Sequence, residues 1–225
     1  MTVGLTVGPG LNADSTVILA YPAERKPEAA LVIGRDARFR SGTVVYAGSL
    51  IGDRFQSGHH VVLREELEIG SDVAVWSNSV IDYGCQIGDR VKIHSNCYVA
   101  QYTRISDAAF LAPGVTIAND LYPGHPESAS MMSGPEIGPG AQIGVNVTIL
   151  PYVRIGAGTM VGAGSVVTRD LPAGVVAYGN PASVRGRVDH LADIRERVVM
   201  GVDCRRRLVP SSPDPQMVGV DEDLA

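Results

Sequence analysis

Residues 61–99 read VVLREELEIGSDVAVWSNSVIDYGCQIGDRVKIHSNCYV, and every sixth position, from Leu63 through Ile69, Val75, Ile81, Ile87 and Ile93 to Val99, is a large aliphatic residue. Two positions before each stands a smaller or medium side chain: Val61, Leu67, Val73, Ser79, Cys85, Val91 and Cys97. Inward residues two apart mark a short strand, and a Gly just after the aliphatic, as at Gly70 and Gly88, marks a turn. A helical stripe recurs at about 3.6 residues and a hairpin meander holds no strict six, so the period predicts strand and turn alternating every six residues.

Stepping outward by six adds Ile33, Phe39, Val45, Ile51 and Ser57 on one side and Ile105, Leu111 and Ile117 on the other. Fourteen of these fifteen positions are large and apolar, whereas a composition of 45% hydrophobic residues gives about seven by chance. After a break the period resumes at Ile137, Ile143, Ile149, Ile155, Val161 and Val167. An excess of β-branched residues, 30 Val and 14 Ile against 14 Leu, with 26 Gly to punctuate them, suits strands and argues against an all-helical fold.

The 225 residues carry 19 basic and 24 acidic side chains, a formal charge of −5, and only Lys26 and Lys92 are lysines. The longest basic run is Arg205 to Arg207, so nucleic acid and anionic membrane are poor partners for this chain. The opening MTVGLTVGPG has no secretory pattern and no stretch of about 18 apolar residues follows, which leads to an expectation of a cytoplasmic protein. Cys85, Cys97 and Cys204 form no CxxC pair, and their sparse, odd number agrees with a reducing compartment. Cys85 and Cys97 fall on the small inward position and read as buried hydrophobes.

The repeat resembles the hexapeptide repeat of left-handed parallel β-helices. The resemblance implies an all-β solenoid in which three hexads form one triangular coil of 18 residues, giving 15/3 = 5 coils over 33–117 and about two more over 137–167. The expected organisation is an N-terminal cap over 1–30, the prism over 31–188 with a protruding loop over 119–135, a short C-terminal helix over 189–208, and a disordered tail over 209–225. The loop, NDLYPGHPESASMMSGP, delays the next inward residue by 137 − 123 = 14 positions, which a solenoid does not need for folding.

Gly124-His125-Pro126, followed by PEIGPGAQIGVNVTILPYVRIGAGTMVGAGSVVTRDLPAGVVAYGNPA, is similar to the acyltransferases of the hexapeptide-repeat family. From Ile105 to Arg187 the chain resembles the galactoside and maltose acetyltransferase branch, with a shorter segment between His125 and Pro135. APGVTIANDLYP is closer to the branch that N-acetylates amino sugars carried on nucleotides. Both branches imply a homotrimer with active sites between neighbouring prisms, acetyl-CoA as co-substrate, and a small-molecule acceptor; no metal is implied.

Residue by residue, the resemblance makes His125 the group that takes a proton from the acceptor or orients it, and Val145 the backbone N–H that meets the oxyanion. It places Gly144, Gly162, Ala163 and Gly164 along the pantetheine arm. Thr168, Arg169, Asn180, Pro181 and Arg185 fall near the nucleotide end, where an Arg can neutralise phosphate. Asn119 and Asp120 enter the loop and either bind the acceptor or cap the turn. His94 should stack one coil above Trp76 and one below Ala112, as packing or as a second site histidine. His60 lies near Ser57, the single polar residue of the inward ladder, where a bulge is expected; Arg64 and Asp82, 18 apart, should pair across coils.

The leading expectation is an acetyl-CoA-dependent enzyme acting on an amine of a nucleotide-linked amino sugar, with O-acetylation of a sugar as the near alternative. A non-catalytic trimeric scaffold has no use for the GHP loop. A γ-type carbonic anhydrase needs three zinc-binding histidines, two of them on one coil, and His94 has Asp89 and Val99 five residues to either side.

Overall fold

The computed structural model of the chain describes residues 4–25 and 29–188; the expected C-terminal helix and tail lie outside the described residues. The chain winds as a left-handed parallel β-helix whose three faces are sheets of eight, ten and eight strands. We call these sheets A, B and C in the order the chain meets them, and the corners between them A–B, B–C and C–A. Strand partners lie 18 residues apart, as in Glu68 with Gln86 on sheet A and Val80 with Tyr98 on sheet C. The described residues form eight coils, at 5–21, 31–46, 50–63, 68–81, 86–99, 104–117, 136–149 and 154–167.

Two offsets exceed 18. Arg104 pairs with Glu136, so coils 6 and 7 are 32 residues apart and the loop adds 32 − 18 = 14. Leu5 pairs with Leu31, an offset of 26, so an insertion of 26 − 18 = 8 residues separates coils 1 and 2. The stretch expected as an N-terminal cap over 1–30 contains a coil of its own, at 5–21. The insertion is not a multiple of six, which moved this coil off the ladder counted from Ile33. Its outer edge has no strand partner among the described residues, so the inward-facing Leu5 is exposed where its partner Leu31 is fully buried.

From Leu31 to Val167 each strand is only two or three residues long because the prism must turn every six. The inward side chains stack into one column, Phe39 against Phe55 with ring centroids 5.3 Å apart and Leu63, Ile81, Ile93 and Leu111 fully buried. Inward hydroxyls are satisfied locally: Ser49 donates to the Arg64 carbonyl at 3.0 Å and Ser79 to the His94 carbonyl at 2.8 Å. Ser57 makes no bulge. Its hydroxyl accepts the Arg40 N–H at 3.0 Å and bonds Thr43 Oγ1 at 3.1 Å. Among the described residues no buried side-chain N or O is left without a partner.

At the A–B corner, carboxylates replace the missing ladder bonds. Asp53 accepts the Arg35 N–H at 3.0 Å, Asp89 that of Ser71 at 2.7 Å, and Asp107 that of Asp89 at 3.0 Å. At the C-terminal end, the strand Val175–Gly179 lies parallel on Met160–Val161, and Ala182–Arg187 folds back antiparallel to it. Among the described residues no helix is long and apolar enough to cross a membrane.

Candidate active site

The loop leaves sheet C after Ile117 and rejoins sheet A at Glu136, so it stands on the C–A corner. Its two legs are tied where Ser133 N–H donates to the Asn119 carbonyl at 2.9 Å. Asp120 organises the interior, accepting the Tyr122 N–H at 2.8 Å and the Ser128 hydroxyl at 2.5 Å, before the single helical turn Ser128–Met131. Tyr152 on the next coil donates to the Met131 carbonyl. Asp120 therefore shapes the loop through both carboxylate oxygens.

His125 follows Gly124, whose φ of +85° lets the chain reverse there. The imidazole is exposed, and its Nδ1 accepts the Glu127 backbone N–H at 3.2 Å. A backbone N–H only donates, so the neutral ring carries its proton on Nε2, the outward nitrogen.

Asn119, 9% exposed, roots the loop. Its Nδ2 donates to Gln101 Oε1 at 2.7 Å, and Gln101 Nε2 donates to Asp82 Oδ2 at 2.5 Å. Asp82 also accepts the Tyr98 hydroxyl at 2.9 Å and the Tyr83 N–H at 2.8 Å, and faces the Arg64 guanidinium at 3.8 Å. Arg64 pairs more tightly with the fully buried Glu65, at 2.9 Å, than with Asp82. Burial and the Asp82 bond push the Tyr98 hydroxyl up to about 12, so it stays a donor. Gln101 and Asn119 are 18 apart, a relation visible in the sequence once the pitch is known.

The B–C corner carries the second group. Val145 is 43% exposed, and its backbone N–H has no partner among the described residues. Beside it, a Cβ on Gly144 would lie 2.6 Å from the Ala163 nitrogen, and one on Gly162 2.7 Å from Tyr178 Cβ, so both must be Gly for the coils to stack. Ala163 and Gly164 are exposed and nearly bare of side chain. The turn Asn180-Pro181 and Arg185, whose guanidinium sits 5.3 Å from the Tyr178 ring, lie on the hairpin beside Gly162. Thr168 and Arg169 are exposed but leave by the C–A corner, away from that group.

His94 is held on both faces, stacked on Trp76 at 4.3 Å and 10° and tilted on Phe110 at 5.0 Å. The register of Ile93 with Leu111 sets His94 one coil below Ala112, as expected, and its ring also meets Phe110. His60, with φ of +55°, closes the B–C turn, its ring packed where a Cβ on Gly42 would stand. His94 and His60 thus share the corner of Val145 but lie two and four coils back. No group of three or more His, Cys, Asp or Glu among the described residues is arranged to hold a metal ion.

One chain does not bring His125 to Val145: they stand on the two edges of sheet C. That face is unlike the others. Its outward row is Val44, Val62, Val80, Tyr98, Thr116, Thr148 and Val166, without a charge, while the row on sheet A includes Glu68, Arg104, Glu136 and Arg154.

The family described as bacterial transferase hexapeptide (six repeats) matches residues 66–101 and 134–169. A galactoside O-acetyltransferase of Escherichia coli (strain K12) is 39% identical over 165 residues, 66% of this chain and 78% of that protein. A protein of Staphylococcus aureus (strain COL), named for acetyltransferase activity, is 35% identical over 117 residues; the chain spans 59% of its length, and the match covers 48% of this chain. Among solved structures, a UDP-N-acetylglucosamine acyltransferase of Bacteroides fragilis matches with a TM-score of 0.63 at 16% identity, covering 93% of this chain and 82% of that one, a likeness of fold. With that prism, and with 39% identity across more than three quarters of the Escherichia coli enzyme, the chain belongs to the hexapeptide-repeat acyltransferase family.

Proposed function

We propose that the protein transfers an acetyl group from acetyl-CoA to an amine of a small polar acceptor, a nucleotide-linked amino sugar being the leading class. The observation that carries acyl transfer is the unpaired, exposed N–H of Val145 beside the bare turn of Gly162 to Gly164. A free donor of this kind stabilises the oxyanion that forms when a nucleophile adds to a thioester carbonyl. The amine lone pair forms the C–N bond, the C–S bond breaks, and the amine proton leaves with the thiolate or to water.

The preference for an amine comes from His125. With Nδ1 engaged by Glu127, its outward Nε2–H donates and cannot take a proton. An amine that reaches the site uncharged needs orientation more than a base, whereas a hydroxyl needs the base. We further propose that a neighbouring copy, packed through sheet C in a homotrimer, supplies the His125 loop to the Val145 corner. An uncharged, β-branched face bounded on both sides by the two half-sites suits that packing.

The test is release of free thiol from acetyl-CoA in the presence of nucleotide-linked 3-amino and 4-amino sugars, simple galactosides, amino acids and aminoglycosides. Turnover on an amino sugar supports the reading. Turnover on galactosides alone replaces it with O-acetylation, and CoA binding without turnover on any acceptor overturns the acceptor class.

A further inference from the structure

The geometry points to Asp82 as a positioning residue that fixes, through Gln101, which end of the Asn119 amide faces the loop, so that the site receives the acceptor through a hydrogen-bond donor of its own. Asp82 meets four donors, from Tyr98, Tyr83, Gln101 and Arg64, and so acts as an acceptor. Gln101 must therefore turn its NH2 toward Asp82, which leaves Oε1 for its other neighbour. Asn119 must answer with its own NH2, as it does at 2.7 Å.

The remaining atom, Asn119 Oδ1, is left pointing away. It has no partner among the described residues, and since no unpartnered side-chain oxygen is sealed from solvent there, Oδ1 is reachable. Asn119 is also the residue whose carbonyl ties the two legs of the His125 loop. An oxygen fixed in this direction accepts from an N–H or O–H and turns away a group that only accepts. The relay rests on the acyl-transfer reading for its substrate and deepens it: the acceptor donates a hydrogen bond to Asn119.

Polarity of this kind can be reversed as a unit, which separates it from mere structural support. In Asp82→Asn the new Oδ1 keeps Tyr83 and Arg64, the Tyr98 hydroxyl turns to accept from the new NH2, and that NH2 also turns Gln101 around, so Asn119 presents NH2 outward. The acceptor's kcat/KM is expected to fall at least about tenfold while CoA affinity holds. Asn119→Asp sets two acceptors against each other and is expected to fall similarly. In Asp82→Asn/Asn119→Asp the whole chain runs in the opposite sense, yet an oxygen again faces outward, and kcat/KM returns to within about threefold of the wild type.

A double variant as poor as the product of the two single ones overturns the relay. Where Asp82→Asn fails to fold, by far-ultraviolet circular dichroism, Gln101→Leu is measured instead. A raised acceptor KM with unchanged CoA affinity supports the relay, and an unchanged KM overturns it. Should the wild type bind CoA yet turn over no acceptor, the reading of the acceptor class fails by itself. The relay is then read in 15N-labelled protein, where Gln101→Leu must move the Asn119 side-chain amide resonances.

Discussion

At the scale of single residues, the tautomer of His125 separates two mechanisms. Acting as a hydrogen-bond donor, it loses less on removal than a general base does. We expect His125→Ala to lower kcat about tenfold to a hundredfold, below the range of roughly 10² to 10⁴ for a base, with CoA affinity unchanged by calorimetry. The pH profile of kcat gives a second reading: an acid limb that vanishes in the variant returns His125 to the base role. Cys85 is a different case, a thiol with no chemistry to perform. Burial pushes it up to about 12, and its Sγ–H donates to the Ala100 carbonyl at 3.1 Å. Alkylation of the folded protein near pH 8, mapped by mass spectrometry, is expected to spare Cys85 and label it only after denaturation.

At the scale of the coil, stacking demands small residues at the turns and partners for the amides exposed there. A side chain at Gly144 meets the backbone of the coil above at 2.6 Å, a contact that only separation of the coils relieves. Gly144→Val is expected to lower the melting temperature by several degrees and to weaken CoA binding in the same step, since the coil it pushes apart holds Ala163. The corner carboxylates add a pH dependence. The Arg35 backbone N–H holds Asp53, and the Arg54 guanidinium holds Asp72, below the usual carboxylate range. A group depressed in the folded state contributes stability above its unfolded value of 3.8 and loses it as pH falls through the lower folded value. Melting temperature measured against pH is therefore expected to lose this contribution only below about pH 4. Asp53→Asn and Asp72→Asn should flatten that acid limb.

For the whole molecule, His125 and Val145 stand on opposite edges of one uncharged sheet. If copies pack through sheet C, a charge at its centre must break assembly and activity together. Val80→Asp, outward on sheet C in coil 4 and remote from both His125 and Val145, is expected to convert a particle of three chain masses in light scattering to one of a single chain mass, and to abolish thiol release. An assembled variant with full activity would remove sheet C as the contact. The circular dichroism of the variant should stay β-rich, because each coil is closed by its neighbours within the chain.

The six-residue period determined the prism from sequence alone, and it could do so because each coil rests on the same local rule, an inward pair and a turn, repeated without long-range choice. It also placed the loop and its 14 extra residues, since a break in a strict period is as visible as the period. The first coil escaped because an insertion of eight shifted it out of step with the ladder counted from Ile33. The pitch of 18 also puts Asn119 on the corner of Gln101 and Asp82, whereas tertiary structure alone decided which of the groups on a corner bond one another. Corners are set by position within 18 residues, but which way a side chain or an amide turns there depends on the donors it meets from the coils above and below. For Asn119 those partners are 18 and 37 residues away, and only the stacked coils bring them to 2.7 Å and 2.5 Å links.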